Sequence, residues 1–330
     1  MTDDDEAIDV VLARFGVQGA ATTPITRGKY NEHWRVDDGP ARFVLRRYNA
    51  ERTTPAVRYE HDVLDRLAHT AWPVAAPLPS VDDDSLVELH GRIFALFPFI
   101  DGEPGPAHSR AHLRVKGRLL ARLHHDLAPI GPEAQRESFG RIWELDGDDG
   151  TFNDLLREFG GTQRELASMI RAHRYRNLRE LSRLAYGELP DQLIHGDFTR
   201  ENLLFDGARL AGVLDFDHAH LDARVVDLAW SVLSDCYEPP EDTAIDAAAA
   251  AAYVGGYADH TPLEERELRL VVPLLRAHHL SILKRGLRMW LSEPTDELLF
   301  RIDRRVRRRL PQLDERAIAI EQALLAAGQT

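Results

Sequence analysis

The chain has almost no cysteine and almost no lysine. Its single cysteine, Cys236, excludes an internal disulfide and a cysteine-rich zinc site. Alone, it reads as a small buried hydrophobe, with a reactive thiol as the alternative. Lysine occurs only at Lys29, Lys116 and Lys284, so arginine carries nearly all the positive charge. Positive charge is itself in deficit. The 41 Lys and Arg against 54 Asp and Glu give a formal net charge of −13, which argues against non-specific nucleic-acid binding. No apolar run reaches the roughly 18 residues of a membrane span. The start, Met1-Thr-Asp-Asp-Asp-Glu6, lacks the apolar core of a signal peptide. No internal repeat is visible. These absences together predict a cytoplasmic protein.

What is present is an ordinary globular composition, 44% hydrophobic and 29% charged, over 330 residues. That length suggests two domains or lobes with a substantial core. The first third reads as β-rich. Asp5–Phe15 is a short amphipathic helix. Trp34–Val36 and Arg42–Arg46 form a hairpin around Asp37-Asp-Gly-Pro40. Apolar spacing at Val57, Val63, Leu64 and Leu67 predicts a helix over Pro55–His69. Ser85–His90 and Ile93–Phe97 make a second hairpin around His90-Gly91. The remainder is mainly helical, with an alanine-rich helix over Asp246–Tyr253 and a long helix over Leu268–Leu291.

The densest chemistry lies in Leu193-Ile-His195-Gly-Asp197-Phe-Thr-Arg-Glu-Asn202, followed by Gly212-Val-Leu-Asp215-Phe-Asp217. Asp206-Gly207 is a turn signal between the apolar runs Leu203–Phe205 and Leu210–Leu214. Folding that hairpin brings Asn202 and Asp215 together at its open end, with Asp197 one short loop upstream. Mg²⁺ takes hard oxygen ligands and leaves room for phosphate oxygens and water. A carboxylate base, an amide oxygen and a second carboxylate are therefore the set that phosphoryl transfer from a nucleotide–Mg²⁺ complex requires. Asp215 is the expected main ligand, Asn202 the neutral co-ligand and Asp217 an assisting one. Asp197 is the expected catalytic base toward a hydroxyl. His195 organises the loop. Any one of these residues alone reads as a turn or strand end; the ordered set does not.

The segment resembles the aminoglycoside phosphotransferase-like and choline kinase-like branch of the protein-kinase fold, which includes type II homoserine kinases. The resemblance implies an α+β, two-lobed protein-kinase-like fold. A nucleotide-binding lobe would span residues 1–100, and a catalytic and acceptor-binding helical lobe residues 101–330. It implies Asp197 as base and Asn202 and Asp215 as Mg²⁺ ligands. His-Gly-Asp in place of His-Arg-Asp favours the small-molecule branch. Val226-Asp227-Leu-Ala-Trp230 resembles a downstream element in which Asp227 braces the catalytic loop; a helix-capping Asp is the bland alternative.

Other positions follow from the same resemblance. Thr26-Arg-Gly-Lys-Tyr-Asn31 reads as a plain hairpin turn or as a nucleotide-covering loop in which Gly28 and Asn31 serve the phosphates. Arg46 stands where the family's strand usually carries a lysine for the α- and β-phosphates. A permanent guanidinium can grip phosphate bidentately, so the role can survive. Strand alternation points Arg46 and Val44 one way and Arg47 and Leu45 the other. Glu60 matches the helix glutamate that pairs with that cation, with Asp62 as substitute. Leu96, Phe97 and Phe99, at the end of the lobe, are candidates to sandwich adenine or simply to pack the core.

The expected reaction is transfer of the γ-phosphoryl group of ATP, or GTP, to a small-molecule hydroxyl. An amino alcohol such as homoserine, an amino sugar and an aminoglycoside all suit an acidic cleft. Two other classes compete. One is a Ser/Thr protein kinase, disfavoured because no Ala-Pro-Glu signature follows Asp215. The other is a nucleotide-binding pseudoenzyme, supported only by Arg46. His124-His125 lack a carboxylate at metal-ligand spacing. Polar residues of the long helix read as acceptor cleft or solvated face. The basic run Arg301–Arg309 reads as pairing with acidic helices, with nucleic-acid binding as the alternative.

Overall fold

The computed structural model describes residues 3–26, 30–107, 109–131, 136, 139–142, 150–238 and 244–328. It divides into two compact units. One comprises Met1–Gly105, Arg136–Ser138 and Glu201–Asp217; the other comprises Pro106–Gln135, Phe139–Arg200 and His218–Thr330.

The first unit is built on an antiparallel sheet of β1 (Ala21–Ile25), β2 (Glu32–Asp38), β3 (Ala41–Arg47), β4 (Val87–Leu89) and β5 (Arg92–Pro98), in the order β1-β2-β3-β5-β4. Tight turns set the hairpins: Gly39 lies at φ 59°, and His90 and Gly91 at 49° and 70°. Strand alternation then sorts the side chains. Val36, Leu45, Phe94 and Leu96 face helix α1 (Asp3–Arg14), burying Ile8, Val11 and Leu12 in one cluster. Tyr48 and Phe97 meet His61 of helix α2 (Thr54–Ala68). That helix starts where expected because Thr53 caps it, accepting from the Ala56 amide at 3.3 Å, and Pro55 follows.

The same unit holds a hairpin from far along the chain. β8 (Leu203–Asp206) and β9 (Arg209–Val213) pair antiparallel, with Gly207 at φ 59° in the turn. The turn is Gly207-Ala208, one residue later than the Asp-Gly signal suggests. β6 (Glu103–Pro104) adds to β8, and the Val213 amide donates to the Pro73 carbonyl at 2.9 Å.

The second unit is helical. It contains α3 (Arg110–Leu127), α4 (Gly150–Phe159), α5 (Arg164–Arg183), α6 (Arg224–Asp235), α7 (Ala247–Ala258), α8 (Glu265–Ser292), α9 (Asp296–Arg304) and α10 (Leu310–Gly328), with a π-helical stretch Arg305–Arg309. The short strands β7 (Gln192–Ile194) and β10 (His220–Asp222) pair antiparallel. Phe152, Leu156, Phe159, Ile170, Leu283 and Val306 share one core cluster. α7 does not end at Tyr253, as its Gly-Gly pair suggests, but runs through it to Ala258. The cause is helix packing. A Cβ on Gly256 would lie 2.0 Å from the Arg114 carbonyl oxygen, and one on Gly117 2.0 Å from that of Tyr253. The glycines let α3 and α7 approach backbone to backbone. Cys236 is fully buried, and burial pushes its thiol up to about 12, so it is a core residue. Among the described residues no helix is long and apolar enough to cross a membrane.

Candidate active site

Asp197 follows the short strand β7 in the helical unit, on a loop tied down from several sides. Both carboxylate oxygens of Asp227 accept backbone amides of that loop, from His195 at 2.8 Å and Gly196 at 2.9 Å. His124 donates to the same carboxylate at 3.1 Å and is itself joined to the Tyr257 hydroxyl at 2.8 Å. Burial alone would raise the Asp227 pKa; His124 and His195 hold it below the ordinary carboxylate range. His124 is thus one of the braces of the loop. Gly196 is required on two counts: φ is 79°, and a Cβ there would meet the His218 carbonyl oxygen at 2.2 Å. Asp197 receives the indole N–H of Trp230 on Oδ1 at 2.6 Å. The hydroxyl of Ser231 holds the Phe198 carbonyl at 2.7 Å. Helix α6 therefore fixes the loop through Asp227 and aims a donor at Asp197 one turn later.

The β-rich unit holds the other candidates. Arg46 donates to Glu60 at 2.8 Å, with side-chain exposures of 13% and 1%. The Tyr48 hydroxyl donates to the other Glu60 oxygen at 3.2 Å. Arg47, on the opposite face of the strand, pairs with Glu32 instead. Burial works against the Arg46 charge, but Glu60, Tyr48 and Asp215 more than restore it, and its pKa rises. Burial lifts the Glu60 carboxyl, and the Arg46 guanidinium opposes that lift. His33 completes the group: its Nε2 accepts from Arg46 Nε at 3.1 Å. Burial, then Arg46, lowers His33 to about 4, so the ring is neutral. Its Nδ1 is buried without a hydrogen-bond partner among the described residues.

Asp215 and Asp217 differ sharply. Asp215 ends the hairpin beside Leu214, whose amide donates to the Asn202 carbonyl at 2.8 Å, so Asn202 and Asp215 do return to one end of it. Its backbone lies at φ 64°, the left-handed region, which costs a non-glycine residue energy and recurs at functional sites. Its carboxylate is 38% exposed, 3.9 Å from Arg46 Nη2. The Asp217 side chain is 4% exposed. Its Oδ2 accepts from Arg52 at 2.8 Å and from Asn31 at 3.2 Å. Arg136 lies 3.5 Å from Oδ1 and donates to the Asp217 carbonyl at 2.7 Å and to the Ala56 carbonyl, on α2, at 2.8 Å.

Three expected nucleotide residues are engaged within the protein. Asn31 uses its amide nitrogen on Asp217 and accepts the Asn49 amide at 3.0 Å. Phe97 is 6% exposed, edge-on to His61 and under the Arg46 guanidinium at 5.1 Å. Phe99 is partly buried beneath Arg42 and Arg35, 5.0 and 5.5 Å from its ring centroid. Gly28 lies outside the described residues. The roles of Arg52, Arg136, His33 and Trp230 were not legible in the sequence. Only Trp230 had a signal, lying three residues after Asp227 and so on the same helix face.

Among the described residues no three His, Cys, Asp or Glu side chains form a metal cage. The set at the hairpin end is partial: one open carboxylate, a neighbouring amide residue, and a second carboxylate already engaged by arginine. Such a set fits a hard cation that keeps waters and takes phosphate oxygens.

Comparison with known proteins agrees with this geometry. The chain is 28% identical to a homoserine kinase of Caulobacter sp. (strain K31) over 335 residues, covering 99% of this chain and 98% of the relative. It is 26% identical to a homoserine kinase of Zymomonas mobilis over 279 residues, 83% of each chain. Among solved structures it is similar to amicoumacin kinase hAmiN, in complex with AMP-PNP, Ca²⁺ and Ami, with a TM-score of 0.75 at 14% identity over 95% and 94% of the two chains. It is also similar to a microcompartment-associated aminopropanol kinase, with a TM-score of 0.65 at 18% identity over 98% and 99%. These likenesses identify the fold as protein-kinase-like, with a β-rich N-terminal region and a helical C-terminal one. The model of the phosphotransferase enzyme family matches residues 21–266, which include every candidate residue above, and the chain belongs to that family.

Proposed function

We propose that the chain is an ATP-dependent kinase that phosphorylates the hydroxyl of a small amino alcohol, with a homoserine-sized acceptor foremost. The observation that carries this reading is the relation of Arg46 to Asp215. A guanidinium pinned by a buried glutamate stands 3.9 Å from a carboxylate that is 38% exposed and sits on strained backbone. A fixed cation beside a part-exposed anion is the pair that a triphosphate with its metal would occupy. The buried, unpartnered Nδ1 of His33 beside Arg46 adds a polar atom ready for an oxyanion.

Each residue then has a task. Arg46 orients phosphate oxygens, and Glu60 with Tyr48 keeps its fork in one rotamer. Mg²⁺, when bound, would be held by Asp215 with Asn202 and would supply charge neutralisation at the phosphates. Asp217 serves as an internal knot. By satisfying Arg52, Asn31 and Arg136 it holds the segment that fixes the Asp215 backbone. Asp197 orients the acceptor hydroxyl and takes its proton. The loose transition state asks for positioning more than for a strong base, which is why a carboxylate suffices. The homoserine kinases among the relatives, one of which matches over nearly its whole length, support an amino alcohol of that size. The arginine at position 46 does not favour a pseudoenzyme, because its ion pair with Glu60 is intact.

The test is turnover of ATP with Mg²⁺ against a panel of homoserine, aminopropanol, an amino sugar and an aminoglycoside. A phosphomonoester of one acceptor, formed in step with ADP, is the expected result. ATP binding with no product across the panel would contradict this function and favour a regulator.

A further inference from the structure

Arg305 and Arg309 present two guanidiniums that no carboxylate answers among the described residues. They lie four residues apart on the π-helical stretch, where the wider turn brings such positions onto nearly one face. Arg305 donates to Nδ1 of His279 at 2.6 Å. Nε2 of His279 lies 3.4 Å from the Tyr237 hydroxyl, and the Arg309 guanidinium stands 5.0 Å from the Tyr237 ring centroid. His279 is 1% exposed. Burial, then Arg305 and Arg309, holds it well below its ordinary pKa, so the partner of Arg305 is an uncharged ring. Burial lowers Arg305 itself to about 10, and Arg309, Arg285 and Arg304 add to that.

Several other arginines are answered differently. Arg46, Arg52, Arg224 and Arg276 each reach a carboxylate within 2.8 Å. The protein carries 54 acidic residues and a net charge of −13, yet two arginines partly withdrawn from water have no acid among the described residues. An unanswered, desolvated charge is costly, and an oxyanion removes that cost through paired charge-assisted hydrogen bonds. π-Helical turns also recur at functional sites.

We propose that Arg305 and Arg309, with the Tyr237 hydroxyl, form a binding site for the carboxylate or phosphate group of a small molecule. Its position suggests what that molecule is for. A line of contacts within the helical unit leads from the candidate base to the site: Asp197 bonds Trp230, the Trp230 ring packs on His278 at 4.9 Å, and His279 is next in the chain. The anion is either the carboxylate of the acceptor, which rests on the function proposed above, or a free phosphate.

The full chain and the variants Arg305→Gln and Arg309→Gln separate these. KM is measured for homoserine and for aminopropanol, which lacks the carboxylate, and binding of inorganic phosphate is followed by calorimetry. A rise of about ten- to a hundredfold in KM for homoserine alone, in either variant, assigns the site to the acceptor carboxylate. Phosphate binding lost in both variants with unchanged acceptor kinetics assigns it to a free anion. Unchanged KM and unchanged phosphate binding in both variants would overturn the site. If no acceptor is turned over, the proposed function fails on its own and phosphate binding alone decides the site. If Arg305→Gln does not fold, Arg309→Gln and Arg305→Lys carry the same comparison.

Discussion

Trp230 donates its indole N–H to Asp197 at 2.6 Å. Trp has a donor and no acceptor, so the bond favours the ionised carboxylate. Trp230→Phe keeps most of the packing and removes the donor. We expect kcat to fall by about ten- to a hundredfold, the worth of a hydrogen bond to a charged group, with the KM for ATP unchanged. Steady-state kinetics in both substrates checks this; an unchanged kcat would remove Trp230 from the mechanism.

Arg46 and Glu60 form a buried pair, so the two ways of changing Arg46 should part company. Arg46→Met leaves Glu60 buried and unpaired and should cost about 3–5 kcal/mol of stability. Arg46→Lys keeps the charge and loses the fork, so stability should hold while the KM for ATP rises about tenfold. Urea denaturation and ATP titration of the two variants read the two effects separately.

Asp215 and Asp217, two residues apart, should answer differently to the same substitution. Asp215→Asn relieves no buried charge and should abolish turnover at nearly unchanged stability. Asp217→Asn removes the buried negative charge that faces Arg52 and Arg136 and should lower stability by about 3–5 kcal/mol. Equal denaturation midpoints for the two variants would contradict the reading of Asp217 as a knot.

Stability should fall in mild acid. Burial holds His61 at about 3, and His33 and His278 at about 4, while His279 is lower than its ordinary value. Each folded pKa lies below the unfolded value of 6.5, so the unfolded chain binds more protons between the two. The stability these neutral rings contribute is full above about pH 6.5 and is lost as pH falls toward 4, by up to about 1.4 kcal/mol per unit for each ring. A denaturation midpoint that declines from pH 6.5 to 4, and declines less in His278→Gln, is the expected result.

Much of the fold could be read because its signals are local. Turn residues, the apolar spacing of Val57, Val63, Leu64 and Leu67 and strand alternation pointed to the sheet, α2 and the sides of Arg46 and Arg47. The hairpin ends of Asn202 and Asp215 followed from the same alternation. Gly255 and Gly256 look like a helix stop after Tyr253, whereas Gly256 admits the backbone of a neighbouring helix. The bonds around Asp217 join residues 165 and 186 positions apart, which no local pattern encodes. The basic run Arg301–Arg309 pairs with acids at Arg301 and Arg307, as its charge pattern suggested, but not at Arg305 and Arg309.

The central claim is that Asp197 is the catalytic base of phosphoryl transfer. Turnover by Asp197→Asn, measured with the acceptor that the native chain phosphorylates and beside a direct measurement of ATP binding, tests it. The account predicts a loss of about a hundred- to ten-thousandfold in kcat with ATP binding retained. Undiminished turnover in that variant would contradict it.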